Sequence, residues 1–271
     1  MDETINQKST DLIEKYEIRN VYSKELSRDV DVDLYVPKGY NELLPILILN
    51  DGQDSKAVKV QQTLHKLIEA NEIEPVIIVN VYAGDRLQEY GVSGKPDYAK
   101  RGNRAILYNE YIVHHLLPFL SYTYPINLNH PKNAIAGYSL GGLSALDIAW
   151  NNPNYFKQVG AFSGSFWWRK KALNNGYTDA DRIMHHKIKT SKTKPDVKFW
   201  FQAGTQDEIA DRNNNGIIDA IDDTLDIVSE LIKKGYKPYR DVVYFEMVQG
   251  EHNQKTWAKA MPTFLKWAFG K

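Results

Sequence analysis

The chain has 271 residues, 42% of them hydrophobic, and its 34 Lys and Arg residues balance its 34 Asp and Glu residues. This length and apolar content suit a single α/β domain, and the zero net charge does not favour nucleic acid, an anionic membrane or a polyanionic substrate as a partner. Because the sequence contains no cysteine, disulfides, thiolate metal ligands and a cysteine nucleophile are excluded.

The start of the chain lacks the basic and apolar regions of a signal peptide. The longest apolar runs, such as 43–49, fall far below the roughly 20 residues that a membrane-spanning helix needs. We therefore expect a cytoplasmic protein with no membrane partner, or a secreted or periplasmic one if a leader has been removed. Nothing in the sequence indicates an oligomeric state.

Predicted strands and helices alternate along the chain. Residues 29–36 alternate polar and apolar side chains as a half-buried strand does, and 44–49 is apolar enough for a central strand. Further helices are predicted at 57–70, 103–120, 143–150, 179–188, 220–234 and up to Trp267, and further strands at 75–81, 133–136, 158–162, 197–202 and 242–248. The alternation predicts an α/β fold with a mostly parallel, doubly wound sheet flanked by helices. We expect one domain over 1–271, with a loose N-terminal segment at 1–16.

The segment Gly137-Tyr138-Ser139-Leu140-Gly141 is a G-x-S-x-G sequence between a predicted strand and a predicted helix. Glycines flank the serine in a nucleophile elbow because the strand-to-helix turn is sharp and Cβ atoms there would clash. Such a turn exposes the Ser139 hydroxyl and points the Leu140 N–H at a developing oxyanion. The alternative interpretation is a structural turn of small residues.

A serine nucleophile needs a general base, and His252 is the best placed of the seven histidines. It follows the end of a buried strand directly, where ligands of such sheets bind. His130 precedes a proline in a loop. The others fall in helix-like stretches and are His65, His114, His115, His185 and His186. The alternative for His252 is a solvated loop residue.

The acid that orients the histidine should follow a strand between the serine and the histidine. Strand 197–202 meets this condition, and Asp207 in the loop after it is the first choice, with Glu208 next. Asp241 or Glu246 would need a different loop geometry. Acidic residues after strands also serve as helix caps, which is the alternative role for Asp207.

Four segments together resemble the putative-esterase family of α/β-hydrolases, which includes enterochelin-esterase-like, esterase-D-like and feruloyl esterases and the mycolyltransferases. They are Gly137-Tyr138-Ser139-Leu140-Gly141-Gly142-Leu143-Ser144-Ala145, Ser163-Gly164-Ser165, Gly204-Thr205-Gln206-Asp207 and Gly250-Glu251-His252. The similarity runs from about Ser27 to the C-terminus. It implies an α/β-hydrolase fold with Ser139 as nucleophile, Asp207 as acid and His252 as base.

The loop Leu49-Asn50-Asp51-Gly52-Gln53 looks like the family's Asp-Gly-Gln segment. The resemblance implies that the Gln53 N–H joins the Leu140 N–H as an oxyanion donor. The motifs are shared across several substrate classes, so they indicate a serine carboxylesterase acting on a small-molecule ester, without an organic cofactor. The alternatives are an acyltransferase on the same scaffold and a non-catalytic, calcium-dependent binding module.

A second motif, 211–222, follows the predicted acid and has the spacing of an EF-hand or dockerin-type calcium loop, with glycine at position 6. Its predicted calcium ligands are Asp211, Asn213, Asn215, Ile217, Asp219 and Asp222. Position 12 carries Asp222, where a regulatory EF-hand has glutamate and dockerin-like loops have aspartate. The alternative is an Asn-rich turn that caps the helix starting near residue 219.

Four further residues are candidates for the substrate pocket. Trp167 and Trp168 follow a predicted strand end, although an aromatic run is as often part of the core. Tyr90 and Arg101 lie in the loop 83–102, whose length is typical of a lid or pocket wall. Arg101 is a candidate for binding a substrate carboxylate, with a solvated arginine as the alternative.

Overall fold

A computed structural model describes residues 11–271. Its eight strands form one sheet in the order β1-β2-β4-β3-β5-β6-β7-β8. The strands are β1 (Ile13–Ser23), β2 (Arg28–Pro37), β3 (Ile46–Asn50), β4 (Ile77–Val81), β5 (Ala134–Tyr138), β6 (Gln158–Phe162), β7 (Lys198–Gln206) and β8 (Val242–Glu251). Strands β1, β2 and β4 pair antiparallel, and all the other neighbours pair parallel. The predicted α/β fold with a mostly parallel sheet is confirmed.

Helices cover both faces of the sheet. They are α1 (Val60–Glu69), α2 (Arg86–Glu89), α3 (Ala105–Glu110), α4 (Leu117–Thr123), α5 (Leu140–Asn151), α6 (Ile183–Thr190), α7 (Asp219–Lys233) and α8 (Gln254–Phe269). A π-helical segment, Tyr111–Leu116, joins α3 to α4. No helix within residues 11–271 combines the length and apolarity required to traverse a bilayer.

The core has two layers, one on each face. Apolar side chains of α1 and α8 pack on one face, and those of α3 to α7 pack on the other. All residues of β3, β4, β5 and β6 are buried. Strands covered on both faces favour apolar side chains at most positions, which explains why Val, Ile, Leu and Ala predominate in them.

The first strand differs from the prediction of a loose segment at 1–16. Ile13–Tyr16 belong to β1, which pairs with β2 at the edge of the sheet, while residues 1–10 lie outside the described part of the chain. Most of β1 is exposed and carries charges such as Lys15 and Glu17. Charged side chains are common on edge strands, where they oppose pairing with other chains, and they hide the alternation that would predict a strand.

Candidate active site

The three predicted catalytic residues lie at the carboxyl ends of parallel strands and line one cleft. Ser139 follows β5, Asp207 follows β7 and His252 follows β8. The cavity measures about 380 Å³ and also exposes Leu140 and Glu208. Parallel strands bring their carboxyl ends to one edge, so residues 113 positions apart in the chain (139 to 252) reach the same pocket.

The turn at Ser139 has the geometry of a nucleophile elbow. Ser139 has φ 54° and ψ −119°, a conformation that non-glycine residues rarely adopt. A Cβ on Gly137 would lie 2.5 Å from the carbonyl carbon of Gly141, and one on Gly141 would lie 2.5 Å from Asp51 Oδ2. The elbow is therefore packed so closely that only glycine fits at both positions.

Asp207 is held beside His252 by two further donors. Its Oδ2 accepts a hydrogen bond from the Gly204 N–H at 2.8 Å, and its Oδ1 accepts one from the Ser163 hydroxyl at 2.9 Å. His252 Nδ1 lies 3.6 Å from the same Oδ1. This separation exceeds a hydrogen bond, but such contacts often tighten only when substrate binds. The Asp207 side chain is fully buried, whereas His252 is 40% exposed towards the cleft.

Glu208, the second choice for the acid, lines the same cleft. Burial raises its pKa, and the neighbouring charges of Asp219 and Asp223 raise it further. Asp207, and not Glu208, is the acid that lies next to the imidazole. The Glu208 carboxyl faces the cleft and, because its pKa is raised, protonates more readily than a free carboxyl.

Two serines at the end of β6 join the site, although sequence reasoning used them only as part of the family motif. Ser165 Oγ lies 3.2 Å from Ser139 Oγ, and the Ser165 N–H donates to the Ser139 carbonyl oxygen at 3.1 Å. Ser163 holds Asp207 through its hydroxyl. The signal for both was the segment Ser163-Gly164-Ser165, which follows a buried strand.

The predicted oxyanion donors are both free to donate. Within residues 11–271, neither the Leu140 N–H nor the Gln53 N–H gives a hydrogen bond to another group of the protein. Leu140 lines the cleft, whereas the Gln53 side chain lines a neighbouring cavity and bonds to Asp51 Oδ1 at 3.1 Å. The Gln53 assignment therefore remains a prediction.

Arg86, which sequence reasoning did not select, connects the segment of Gln53 to the elbow. Its guanidinium donates to Asp51 Oδ1 at 2.7 Å and to the Tyr138 carbonyl oxygen at 3.1 Å. Asp51 is buried at 1% exposure and has φ 61°, so the ion pair fixes a turn of unusual conformation. Arg86 also lines the cleft.

Of the four predicted pocket residues, Trp167 and Arg101 line the cleft. The Arg101 guanidinium carbon lies 4.9 Å from the centre of the Trp167 ring, and its Nε donates to the buried Asp97 at 2.7 Å. Arg101 is therefore neutralised by an internal partner and is not a solvated surface residue.

The prediction that Tyr90 and Trp168 face the pocket is wrong, because both side chains are fully buried. The Tyr90 hydroxyl accepts a hydrogen bond from the Asp51 N–H at 3.0 Å, and the Trp168 indole N–H donates to the Lys95 carbonyl oxygen at 3.2 Å. These aromatic residues form the layer behind the wall of the cleft.

The predicted calcium loop folds around its own polar side chains. Asp211 accepts hydrogen bonds from the N–H groups of Asn215 and Gly216, and the amides of Asn213 and Asn215 donate to Asp222 Oδ2 at 3.1 and 2.7 Å. Within residues 11–271, no group of three or more His, Cys, Asp or Glu side chains is arranged to hold a metal ion. The loop would have to supply amide and main-chain oxygens as well as carboxylates.

Asp219, another predicted ligand, pairs with Arg212 and not with the other predicted ligands. Its Oδ1 accepts a hydrogen bond from the Arg212 N–H at 3.0 Å and lies 3.2 Å from the Arg212 guanidinium. Ile217 is partly exposed at the edge of the loop. Four predicted ligands thus approach one another, and Asp219 turns to an arginine instead.

The fold and the cleft define an α/β-hydrolase. The chain belongs to the family described as "Putative esterase", whose model matches residues 23–268. The uncharacterized protein YjcH of Bacillus subtilis is 23% identical over 254 residues, which cover 92% of this chain and 95% of YjcH.

Solved structures of other proteins share the fold. The enterobactin esterase of Shigella flexneri superposes with a TM-score of 0.73 at 18% identity over 94% of this chain. This chain spans only 59% of that enzyme. A ferulic acid esterase matches with a TM-score of 0.70 at 15% identity, covering 95% of this chain and 98% of its own.

Proposed function

We propose that the protein is a serine carboxylesterase with a Ser139-His252-Asp207 triad. The observation that carries the proposal is the strained Ser139 turn, which exposes a serine hydroxyl in a cleft that also holds His252 and Asp207. A backbone strained in this way persists only where the surrounding structure enforces it, and it is concentrated at functional sites.

In the proposed reaction, Ser139 Oγ attacks the ester carbonyl carbon and its proton passes to His252 Nε2. The negative charge on the carbonyl oxygen is stabilised by the N–H groups of Leu140 and Gln53. Collapse of the tetrahedral intermediate expels the alcohol, which takes the proton from His252, and leaves an acyl group on Ser139. Water then attacks the acyl-enzyme by the same path, releasing the acid and restoring the serine.

Asp207 orients the histidine in this scheme. Its Oδ1 accepts the Nδ1 proton, which leaves Nε2 free to act as the base and stabilises the imidazolium once it forms. Burial keeps water from competing for the carboxylate, and the Gly204 and Ser163 donors hold it in place.

The substrate that we propose is a small-molecule ester. The cavity of about 380 Å³ has the size of a small-ligand pocket, and the relatives of known activity are named as enterobactin and ferulic acid esterases. Trp167 and the Arg101 guanidinium would contact the part of the ester away from the scissile bond.

The experiment that tests the proposal is Ser139→Ala assayed with a short-chain p-nitrophenyl ester. We expect kcat to fall by about 10⁴ or more, because removal of one triad member disables the whole unit. Circular dichroism should be unchanged. Ser121→Ala, which changes a partly exposed serine on α4, is the control and should keep wild-type turnover.

A fluorophosphonate probe gives a direct readout as well. It should add one covalent adduct to the wild type, on the peptide that contains Ser139, and none to Ser139→Ala. If the variant keeps more than a tenth of wild-type turnover, or if the adduct lies elsewhere, Ser139 is not the nucleophile.

A further inference from the structure

The Trp257 side chain contacts His252 and two residues that adjoin the rest of the proposed triad. It lies in the first turns of α8, five residues after His252, and is buried at 5% exposure. Its ring stacks on Tyr138, the residue before Ser139, with centroids 4.9 Å apart and planes at 17°. It meets the His252 ring edge-on at 5.4 Å. Its indole N–H donates to Ser163 Oγ at 3.0 Å.

The direction of the hydrogen bonds from Trp257 to Asp207 follows from the groups involved. An indole N–H can only donate, so Ser163 Oγ accepts from it. The single hydroxyl proton of Ser163 is then available for an acceptor. Asp207 Oδ1 lies at 2.9 Å, whereas the other acceptor within reach, Gln202 Oε1, lies at 3.5 Å. The chain therefore runs from Trp257 through Ser163 to the carboxylate.

The backbone at Ser163 shows that this arrangement is enforced. Ser163 has φ 47°, in the left-handed region, and its side chain is buried. The peptide N–H of Ser163 donates to the Gln202 carbonyl oxygen at 2.8 Å, which fixes the residue against β7. The backbone of Ser163 is thereby held next to Asp207, whose Oδ1 is the nearer of the two acceptors within reach of the hydroxyl.

We infer that Trp257 and Ser163 are positioning residues that set the angle of the Asp207 carboxylate towards His252. The inference rests on the proposed function. Gly204 holds Oδ2 and Ser163 holds Oδ1, which restrains rotation of the carboxylate and keeps Oδ1 on the side of His252, 3.6 Å from its Nδ1. Trp257 prevents the Ser163 hydroxyl from turning away, because it occupies the acceptor side of that oxygen.

The test compares Ser163→Ala, Trp257→Phe and the double variant. Each single variant should lower kcat by about 10- to 100-fold, the factor expected for losing a hydrogen bond to a charged group, with KM within about twofold. Ser163→Ala removes the donor to the Asp207 carboxylate, and Trp257→Phe lets that donor turn away from it. Because both residues act through one hydrogen bond, the double variant should be no slower than the slower single variant. If the two losses multiply, the residues act separately and the inference is wrong.

The controls match the chemical change. Trp267→Phe removes an indole from the same helix, where the ring packs on Phe264, and Ser144→Ala removes a buried hydroxyl that accepts from the Gly91 N–H. Both should keep kcat near the wild-type value, even where the melting temperature falls.

The proton NMR chemical shift of the His252 Nδ1–H distinguishes a positioning role from a purely structural one, because it reports on the hydrogen bond between His252 and Asp207. The resonance, identified by its loss in His252→Gln, should shift upfield or broaden in Ser163→Ala and Trp257→Phe and stay in place in the two controls. This experiment needs no turnover.

If Ser139→Ala is inactive while Ser163→Ala and Trp257→Phe leave kcat and this resonance unchanged, the positioning role fails and the esterase proposal stands. If the wild type has no esterase activity, the resonance alone decides about the hydrogen-bond chain.

Discussion

At Ser139 the backbone holds a conformation that costs about 1–3 kcal/mol in an unconstrained chain. The elbow is kept in this state by contacts on both sides. The Ser139 N–H donates to the Phe162 carbonyl oxygen at 2.9 Å, and its own carbonyl oxygen accepts from Ser165 at 3.1 Å. The nucleophile is thus fixed by the neighbouring strand end before any substrate binds, so little reorganisation remains for the reaction itself.

Two substitutions test which of the two acidic residues after β7 orients His252. Asp207→Asn should lower kcat at least about 100-fold more than Glu208→Gln, because only the acid next to His252 Nδ1 fixes the imidazole tautomer. The measurement is kcat for a p-nitrophenyl ester, with circular dichroism to confirm folding. Equal losses, or a larger loss for Glu208→Gln, would move the role of the acid to Glu208.

Among the elements, the loop between β7 and α7 combines two predicted roles. Asp207 begins it, the predicted calcium ligand Asp211 follows four residues later, and the ligand Asp222 lies in the first turn of α7. Calcium prefers six to eight oxygen ligands, and two carboxylates with two Asn amides and a main-chain carbonyl would supply most of them. The side-chain NH₂ groups of Asn213 and Asn215 now donate to Asp222 Oδ2. Rotation of the two amides would place their oxygens where these NH₂ groups lie.

We therefore expect calcium to raise the melting temperature and EDTA to lower it by several degrees. A ligand that binds only the folded state stabilises it by about 2.7 kcal/mol at a hundredfold excess over Kd. Esterase activity should fall only in part, since in the proposed mechanism the ion takes no part in bond making.

The matched control for calcium is Asp211→Ala/Asp222→Ala, whose melting temperature should not respond to calcium. A wild type that melts at the same temperature with EDTA and with excess calcium would show that the segment is an Asn-rich helix cap.

For the whole molecule, the packing of α6 on α7 links stability to pH through His185. Its Nε2 donates to the Asp223 carbonyl oxygen at 2.9 Å, while Nδ1 is buried without a partner among the described residues. Burial, together with the charge of Arg182, lowers the pKa of His185 from 6.5 to about 3. The folded protein therefore keeps this histidine neutral where the unfolded chain would protonate it.

Stability should accordingly be complete above about pH 6.5 and fall as the pH drops towards 3, because the unfolded state binds the extra proton in that range. Between pH 7.5 and 5.5 this one group should cost about 1.4 kcal/mol of the free energy of unfolding. Urea unfolding at the two pH values should show a loss larger by this amount in the wild type than in His185→Gln. Parallel losses in the two proteins would contradict the link.

Several features could be predicted from the sequence because they depend on neighbouring residues. The glycines around Ser139 and the strand before it are contiguous, so the elbow is visible as a motif, and the continuous apolar runs of the parallel strands are visible as periodicity. His252 was found by its position after a strand end. The edge strand β1 was missed because its exposed, charged side chains carry no such pattern.

The sequence could not show which aromatic side chain of a loop is buried. Trp168 packs where Gly91 and Gly102 have no side chains, since a Cβ at either would lie 2.8 or 2.7 Å from its ring. No local rule connects a tryptophan with two glycines more than sixty residues earlier in the chain, and the aromatic run was therefore assigned to the pocket.

The sequence by itself determined the order of the elements, the elbow serine and the family, because these follow from local periodicity and turn chemistry. Only the tertiary structure decided which oxygen of Asp207 faces His252 and what holds it there. Trp257 reaches Ser163 across 94 residues and Ser163 reaches Asp207 across 44, and such contacts exist only once the strand ends meet at one edge of the sheet. Hydrogen bonds between residues so far apart depend on three-dimensional position, which no spacing in the chain encodes.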